Sequence, residues 1–186
     1  MDVRTLIQTR PVLFDGAMGT MLQKAGLSPG GLPELYNIQH PDVVMDIHRQ
    51  YIAAGSDIIT ANTFQANAHK LKGSGQTPGA LITAGVSLAR RAGAGYVALD
   101  LGPIGQLLEP MGTLSFEEAY DLYQEQILAG VQAGADLILF ETMSDLLEVK
   151  AGVLAAKEAC DLPVIVTMSY QADGRTFVGC DPASAA

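Results

Sequence analysis

Five polar residues close apolar runs along this chain: Asp15, Asn62, Asp100, Glu141 and Ser169. Three of them are carboxylates. Brought to one place, such groups hold an ammonium or a metal cation, or act as acid and base. A single strand-end aspartate more often caps a loop or helix. Asp15 and Glu141 each end an apolar run, and together they favour the functional reading. Gly16 and Gly19 follow Asp15 in "VLFDGAMGTMLQ" and remove side chains where a ligand or neighbouring backbone approaches. A tight strand-to-helix turn would ask for the same two glycines, and the two readings are compatible.

Other reactive residue types give weaker patterns. His40, His48 and His69 show no H-x-H or H-E-x-x-H spacing. His40 precedes a proline at a helix entry, and His48 is expected inside a helix, beside its apolar stripe. Cys160 and Cys180 form no C-x-x-C pair, so a zinc site built from this chain alone is not expected. Reduced thiols are the expectation for both, and the methionines read as packing residues.

The elements that would position the five polar residues recur. A helical segment ends at glycine or a turn, an apolar strand follows, and the strand finishes on a polar residue. The instances are "AAGSDIITANTF", "AGAGYVALDLGP", "QAGADLILFETM" and "ACDLPVIVTMSY", with "RPVLFDGAMG" opening the series. Continuous Val, Ile and Leu suits strands buried on both faces, as in parallel sheets. Between them, helices are predicted over residues 41–54, 78–92 and 146–159, and along the apolar stripe Phe116, Tyr120, Tyr123, Ile127 and Val131. Pro41 marks one start, and Ser115 with Glu118 forms a capping-box signature at another. Asp145 with Glu148 offers a similar start to the last.

Five βα units make an α/β fold. Neither a dinucleotide fingerprint nor a phosphate-loop lysine follows a strand, which disfavours a doubly wound nucleotide-binding sheet. A (β/α)8 TIM barrel places its site at the carboxyl ends of the strands, where these polar residues fall. A complete barrel needs about 250 residues; the 186 residues here supply about the first five units. They are expected to form one domain, 1–186, incomplete at its C-terminus.

Composition excludes more than it selects. The residues are 48% hydrophobic and 17% charged, as in an ordered globular chain, with a formal net charge of -9. That charge argues against nucleic acid or an anionic membrane surface as partner. No run is long enough to span a bilayer and no signal peptide is evident, so a cytoplasmic location is expected.

The blocks "LFDGAMGTMLQ", "PELYNIQHPDVVMDIHRQYIAAGSDIITANTFQAN", "DLGPIGQLLEPMGTLSFEEAYDLYQEQ", "DLILFETMSDLLEVKAG" and "GRTFVGCDP" occur in this order. They resemble the homocysteine S-methyltransferase family, and most closely the homocysteine-binding domain of its cobalamin-dependent members. The resemblance implies a (β/α)8 barrel in which zinc holds the homocysteine thiolate and methylcobalamin donates the methyl group. It also implies corrinoid- and folate-binding domains or proteins as partners. The family's zinc ligands are three cysteines beyond the matching region; Cys160 and Cys180 do not match them. By resemblance, Asp15, Gly16 and Glu141 fall on homocysteine-binding positions. Asp15 and Glu141 would pair with the substrate ammonium, and backbone amides at Gly16 and Ala17 would receive its carboxylate. Asn62 and Asp100 are expected to organise the mouth of the barrel. The chain alone is expected to be inactive. Rival readings are a family member using methylmethionine, betaine or a corrinoid protein as donor, and a non-catalytic half-barrel that binds or assembles.

Overall fold

The computed structural model describes residues 2–186. Its centre is a four-stranded parallel sheet in sequential order: β1 (Ile58–Thr60), β2 (Tyr96–Leu101), β3 (Leu137–Met143) and β4 (Val164–Met168). Helices α5 (Pro78–Ala92), α6 (Phe116–Gln132) and α7 (Leu146–Ala159) make the crossovers. Before β1 come α1 (Val3–Thr9), α2 (Met18–Lys24), a 3-10 turn (Pro33–Leu35), α3 (Tyr36–Gln39) and α4 (Pro41–Ala53); α8 (Pro182–Ala185) comes last. The expected opening strand is reduced to a single parallel bridge, Phe14 to Ile58. The carboxylate of Asp57 explains its hold. It accepts from Leu13 N–H at 3.0 Å and pairs with Arg10 at 2.6 Å, tying the segment to the entry of β1. Asp136 repeats the device before β3, accepting from Val97 N–H and pairing with Arg90.

The pleat sorts the strands into two faces. Val97, Leu99 and Leu101 of β2 and Ile138 and Phe140 of β3 pack outward into the main core beneath the helices. Ile58, Ala98, Leu137 and Leu139 point the other way and form a second cluster with Val3. Helix α1, which no sequence pattern announces, therefore covers the lower end of the inner face. Farther along the same inner columns stand Thr60, Asp100, Glu141 and Thr167. Asp100 and Glu141 thus lie within β2 and β3 rather than beyond their ends, one layer above the apolar plug.

Two glycines set the helix-to-sheet distance. A Cβ on Gly130 of α6 would overlap the Leu99 side chain, and one on Gly152 of α7 would overlap the Phe140 ring. Gly152→Ala is expected to cost about 1–3 kcal/mol despite alanine's better helix propensity, because a well-packed interior yields little. Urea unfolding measures it; a stabilised variant would show that α7 can lift freely from the sheet.

Helix boundaries follow the expected signals. Ser115 and Glu118 form the reciprocal capping box, and Gly93 terminates α5 in the left-handed region. Asp145 caps α7 through Leu147 N–H at 2.8 Å, but Glu148 does not return to it. Glu148 turns inward instead, accepting from Ile104 N–H at 2.7 Å and Tyr123 O–H at 2.9 Å. His48 also departs from expectation. Val44, Ile47, His48 and Tyr51 share one face of α4, and His48 is fully buried, on the apolar stripe rather than beside it.

Candidate active site at the strand ends

A cavity of about 580 Å³ opens over the polar end of the inner face. Asp15, Asn62, Asp100 and Glu141 all reach its wall, together with Gly16, Ala17 and Gly19. Ser169 does not; it lies exposed past β4, with its N–H donating to Met143 O at 2.7 Å. The lining includes no lysine, arginine or histidine among the described residues. Negative charge without a resident counter-ion suits a cationic group on a ligand.

Each side chain is placed by a local device. The Asp15 Oδ1 accepts from Thr60 N–H at 3.0 Å and from Thr60 Oγ1–H at 2.8 Å, leaving its second oxygen for the cavity. Burial pushes the Asp15 carboxyl up to about 6, against the lowering pull of the Thr60 bonds; Glu141 adds a smaller push. Glu141 sits at a bulge: β3 advances from Phe140 to Met143 while β4 advances only from Val166 to Met168. The extra residue brings Thr142 into the left-handed region at φ 53°, a costly setting for a β-branched residue. Thr142 N–H then donates to Thr167 Oγ1 at 2.9 Å, and the displaced backbone re-aims Glu141. Asp100 is 6% exposed, and burial followed by the charge of Glu141 raises its carboxyl well above the usual range.

Asn62 spends both amide donors on structure, to Pro33 O at 2.8 Å and Asn37 Oδ1 at 2.9 Å. It fastens the 3-10 turn to the end of β1. The two glycines divide their work. A Cβ on Gly16 would meet the Tyr51 ring at 2.9 Å, whereas one on Gly19 would meet nothing within 4 Å. Gly16 therefore makes room for Tyr51, whose hydroxyl donates to Ala17 O at 3.1 Å, and Gly19 keeps open space open. The N–H groups of Gly16 and Ala17 make no backbone hydrogen bond among the described residues.

Sequence reasoning missed Glu34, Thr60 and Thr167. The strand alternation signals both threonines, since Thr60 and Thr167 follow Ile58 and Ile165 by two. Glu34 gives no such signal. It is wholly buried in the 3-10 turn, with Oε1 accepting from Gln65 N–H at 2.7 Å and Oε2 unpartnered among the described residues. Burial raises its carboxyl.

A metal finds no seat here. Among the described residues no three His, Cys, Asp or Glu side chains are grouped as ligands. Cys160 closes α7, with its thiol directed to Ala156 O, and Cys180 lies in the turn begun by Thr176. The donors present do not fit the zinc that the family resemblance implies.

A parallel βα sheet with its polar side chains gathered above the inner strands marks an α/β domain of barrel type. The chain belongs to the homocysteine S-methyltransferase family, whose model matches residues 12–186. Among its relatives are the methionine synthases of Mycobacterium leprae (strain TN) and Mycobacterium tuberculosis (strain ATCC 25618 / H37Rv). They are 32% and 33% identical over 97% of this chain, which spans 17% of the length of each. The fold is similar to that of the homocysteine methyltransferase MmuM from Escherichia coli. Its oxidized form gives a TM-score of 0.82 at 22% identity, covering 96% of this chain and 69% of that one. Its metallated form gives 0.79 at 22% identity, covering 96% and 70%. No helix among the described residues is long and apolar enough to cross a membrane.

Proposed function

We propose that residues 1–186 form the homocysteine-binding part of a methionine-synthase-type methyltransferase, an incomplete barrel in which the cavity holds the amino-acid end of homocysteine. The convergence of Asp15 and Glu141 on one cavity without a basic residue carries this reading. The free oxygen of Asp15 and the carboxylate of Glu141 receive the substrate ammonium. The amides of Gly16 and Ala17 receive its carboxylate, and Gly19 leaves space for the chain beside them. The apolar walls, Phe14, Leu139 and Ile165 among them, exclude water from the methylene groups.

In this reading the methyl group comes from methylcobalamin, brought by a corrinoid-binding domain or protein, with folate as a partner domain's ligand. The zinc that the family resemblance implies is assigned no ligand among the described residues. The residues of this chain bind and orient, and none of them is the nucleophile.

Glu141→Gln keeps the shape and removes the charge. It is expected to weaken homocysteine binding by about 10- to 100-fold, the worth of a charge-assisted hydrogen bond. Titration calorimetry on the wild-type and variant chains tests this. Equal affinity in the two would remove Glu141 from the substrate site.

A further inference from the structure

Consecutive residues of a regular strand face opposite sides of the sheet. Glu141 and Thr142 break that rule, since both line the cavity. Met143 then returns to the outer core with Ile138 and Phe140. The ladder shows how. Phe140 pairs with Val166 and Met143 with Met168, so Glu141 and Thr142 together stand opposite Thr167 alone. A bulge of this kind leaves its extra residue out of the ladder. Thr142 N–H donates instead to the Thr167 side chain, with Oγ1 at 2.9 Å, and Thr142 Oγ1–H donates to Glu141 O at 2.8 Å. Beyond the bulge, Ser169 N–H donates to Met143 O at 2.7 Å and the sheet resumes. Without this break, alternation would turn Thr142 into the core beneath the helices and Met143 into the cavity.

We propose that Thr167 is a positioning residue of the site: its hydroxyl, by taking the Thr142 N–H, holds the bulge that aims the Glu141 carboxylate at the ligand. The inference rests on the reading of Glu141 as the ammonium partner and adds how that partner is held. Thr142 has φ 53°, a setting that a β-branched residue keeps only where its surroundings over-determine it. The hold on its N–H is a side-chain oxygen and not a backbone carbonyl, so it depends on the residue type at position 167. Thr142 and Thr167 are both exposed, at the cavity wall. A replacement at 167 therefore reaches the bulge without opening the core, and water can take up the released N–H.

Titration calorimetry with L-2-aminobutyrate, which has homocysteine's amino-acid head but no thiol, reads the aim of Glu141. Thr167→Val keeps the branched shape and loses the acceptor. It is expected to weaken binding about tenfold, whereas Thr167→Ser, which keeps the hydroxyl, should stay within about twofold of the wild type. In a chain already carrying Glu141→Gln, Thr167→Val should cost less than about twofold, because the charge it positions is gone. A tenfold loss in that background as well would mean that Thr167 acts on the ligand independently of Glu141. Equal affinity of Thr167→Val and the wild type would mean that the bulge keeps its aim without the hydroxyl. Either result overturns the proposal. Amide hydrogen exchange at Thr142, followed by NMR without any ligand, checks the hold itself: it should quicken in Thr167→Val and not in Thr167→Ser, and an unchanged rate in the valine variant would also overturn it. A wild type that bound no aminobutyrate would bring down the substrate reading and this proposal together. A wild type that bound it, with a valine variant binding as well, would bring down the proposal alone.

Discussion

Glu148→Ala is expected to destabilise the chain by about 3–5 kcal/mol, with the transition in urea moving to clearly lower denaturant concentration. Glu148 is 3% exposed and accepts at 2.7 Å from Ile104 N–H, which lies in the long loop after β2. It also accepts from Tyr123 O–H, whose second contact, Gly102 O, is longer at 3.2 Å. Tyr123 is itself fully buried, edge-on to Phe140 with ring centroids 5.3 Å apart. Truncation therefore strands a buried amide, loosens a buried phenol and leaves a cavity, and these costs fall on one seam between α6, α7 and the loop. Burial raises both groups, the phenol far above its ordinary range. Glu148→Gln retains an acceptor at the same place and should recover much of the loss. If alanine and glutamine were equally mild, the seam would be held by packing and not by these bonds.

His48→Leu is expected to stabilise the chain, by about 1–3 kcal/mol at neutral pH and by more in mild acid. Both ring nitrogens of His48 are buried without a partner among the described residues, beside the cluster of Leu22, Val44, Met45, Ile47 and Leu88. Burial pushes the imidazole down to about 4. The unfolded chain takes up a proton from about pH 6.5 downward, and the folded chain does not until about 4. Stability is therefore lost as pH falls through that window, by about 3 kcal/mol in full. Asp15 acts in the opposite sense. Its folded value near 6 exceeds the unfolded 3.8, so its contribution is present near pH 4 and lost as pH rises toward 6. The two slopes oppose each other in the wild type, and leucine at position 48 leaves the Asp15 slope bare. Urea midpoints from pH 4 to pH 7 give the comparison. Parallel profiles for wild type and variant would show that the buried imidazole does not titrate as described.

The helices were readable because their signals are local. Pro41, the Ser115–Glu118 box and the Asp145 cap each act within one turn, and α4, α6 and α7 begin where these residues stand. The opening strand was overread. Val12 to Phe14 is apolar, but its pairing is confined to the one bridge with Ile58 beside the Asp57 clasp, and Leu13 remains exposed. Glu148 was misread for a related reason: the spacing from Asp145 fits a capping box, and a stronger demand from Ile104 and Tyr123 claims the side chain. His48 fits the helical spacing of the buried stripe, yet its polarity argued it outward.

The sequence by itself determined the βα alternation, the family, and the four residues Asp15, Asn62, Asp100 and Glu141 that reach the cavity wall, because strand patterning and turn chemistry are written in neighbouring residues. Only the tertiary structure decided what those residues do to one another. It brought Glu34 beside them from a turn with no pattern of its own and gave Asn62 to Asn37 and the Pro33 carbonyl. It filled the space above Gly16 with Tyr51 and set Asp100 against Glu141. Those outcomes depend on registers and bulges between strands some forty residues apart, and on burial, which changes the protonation of a carboxyl only once water has been removed.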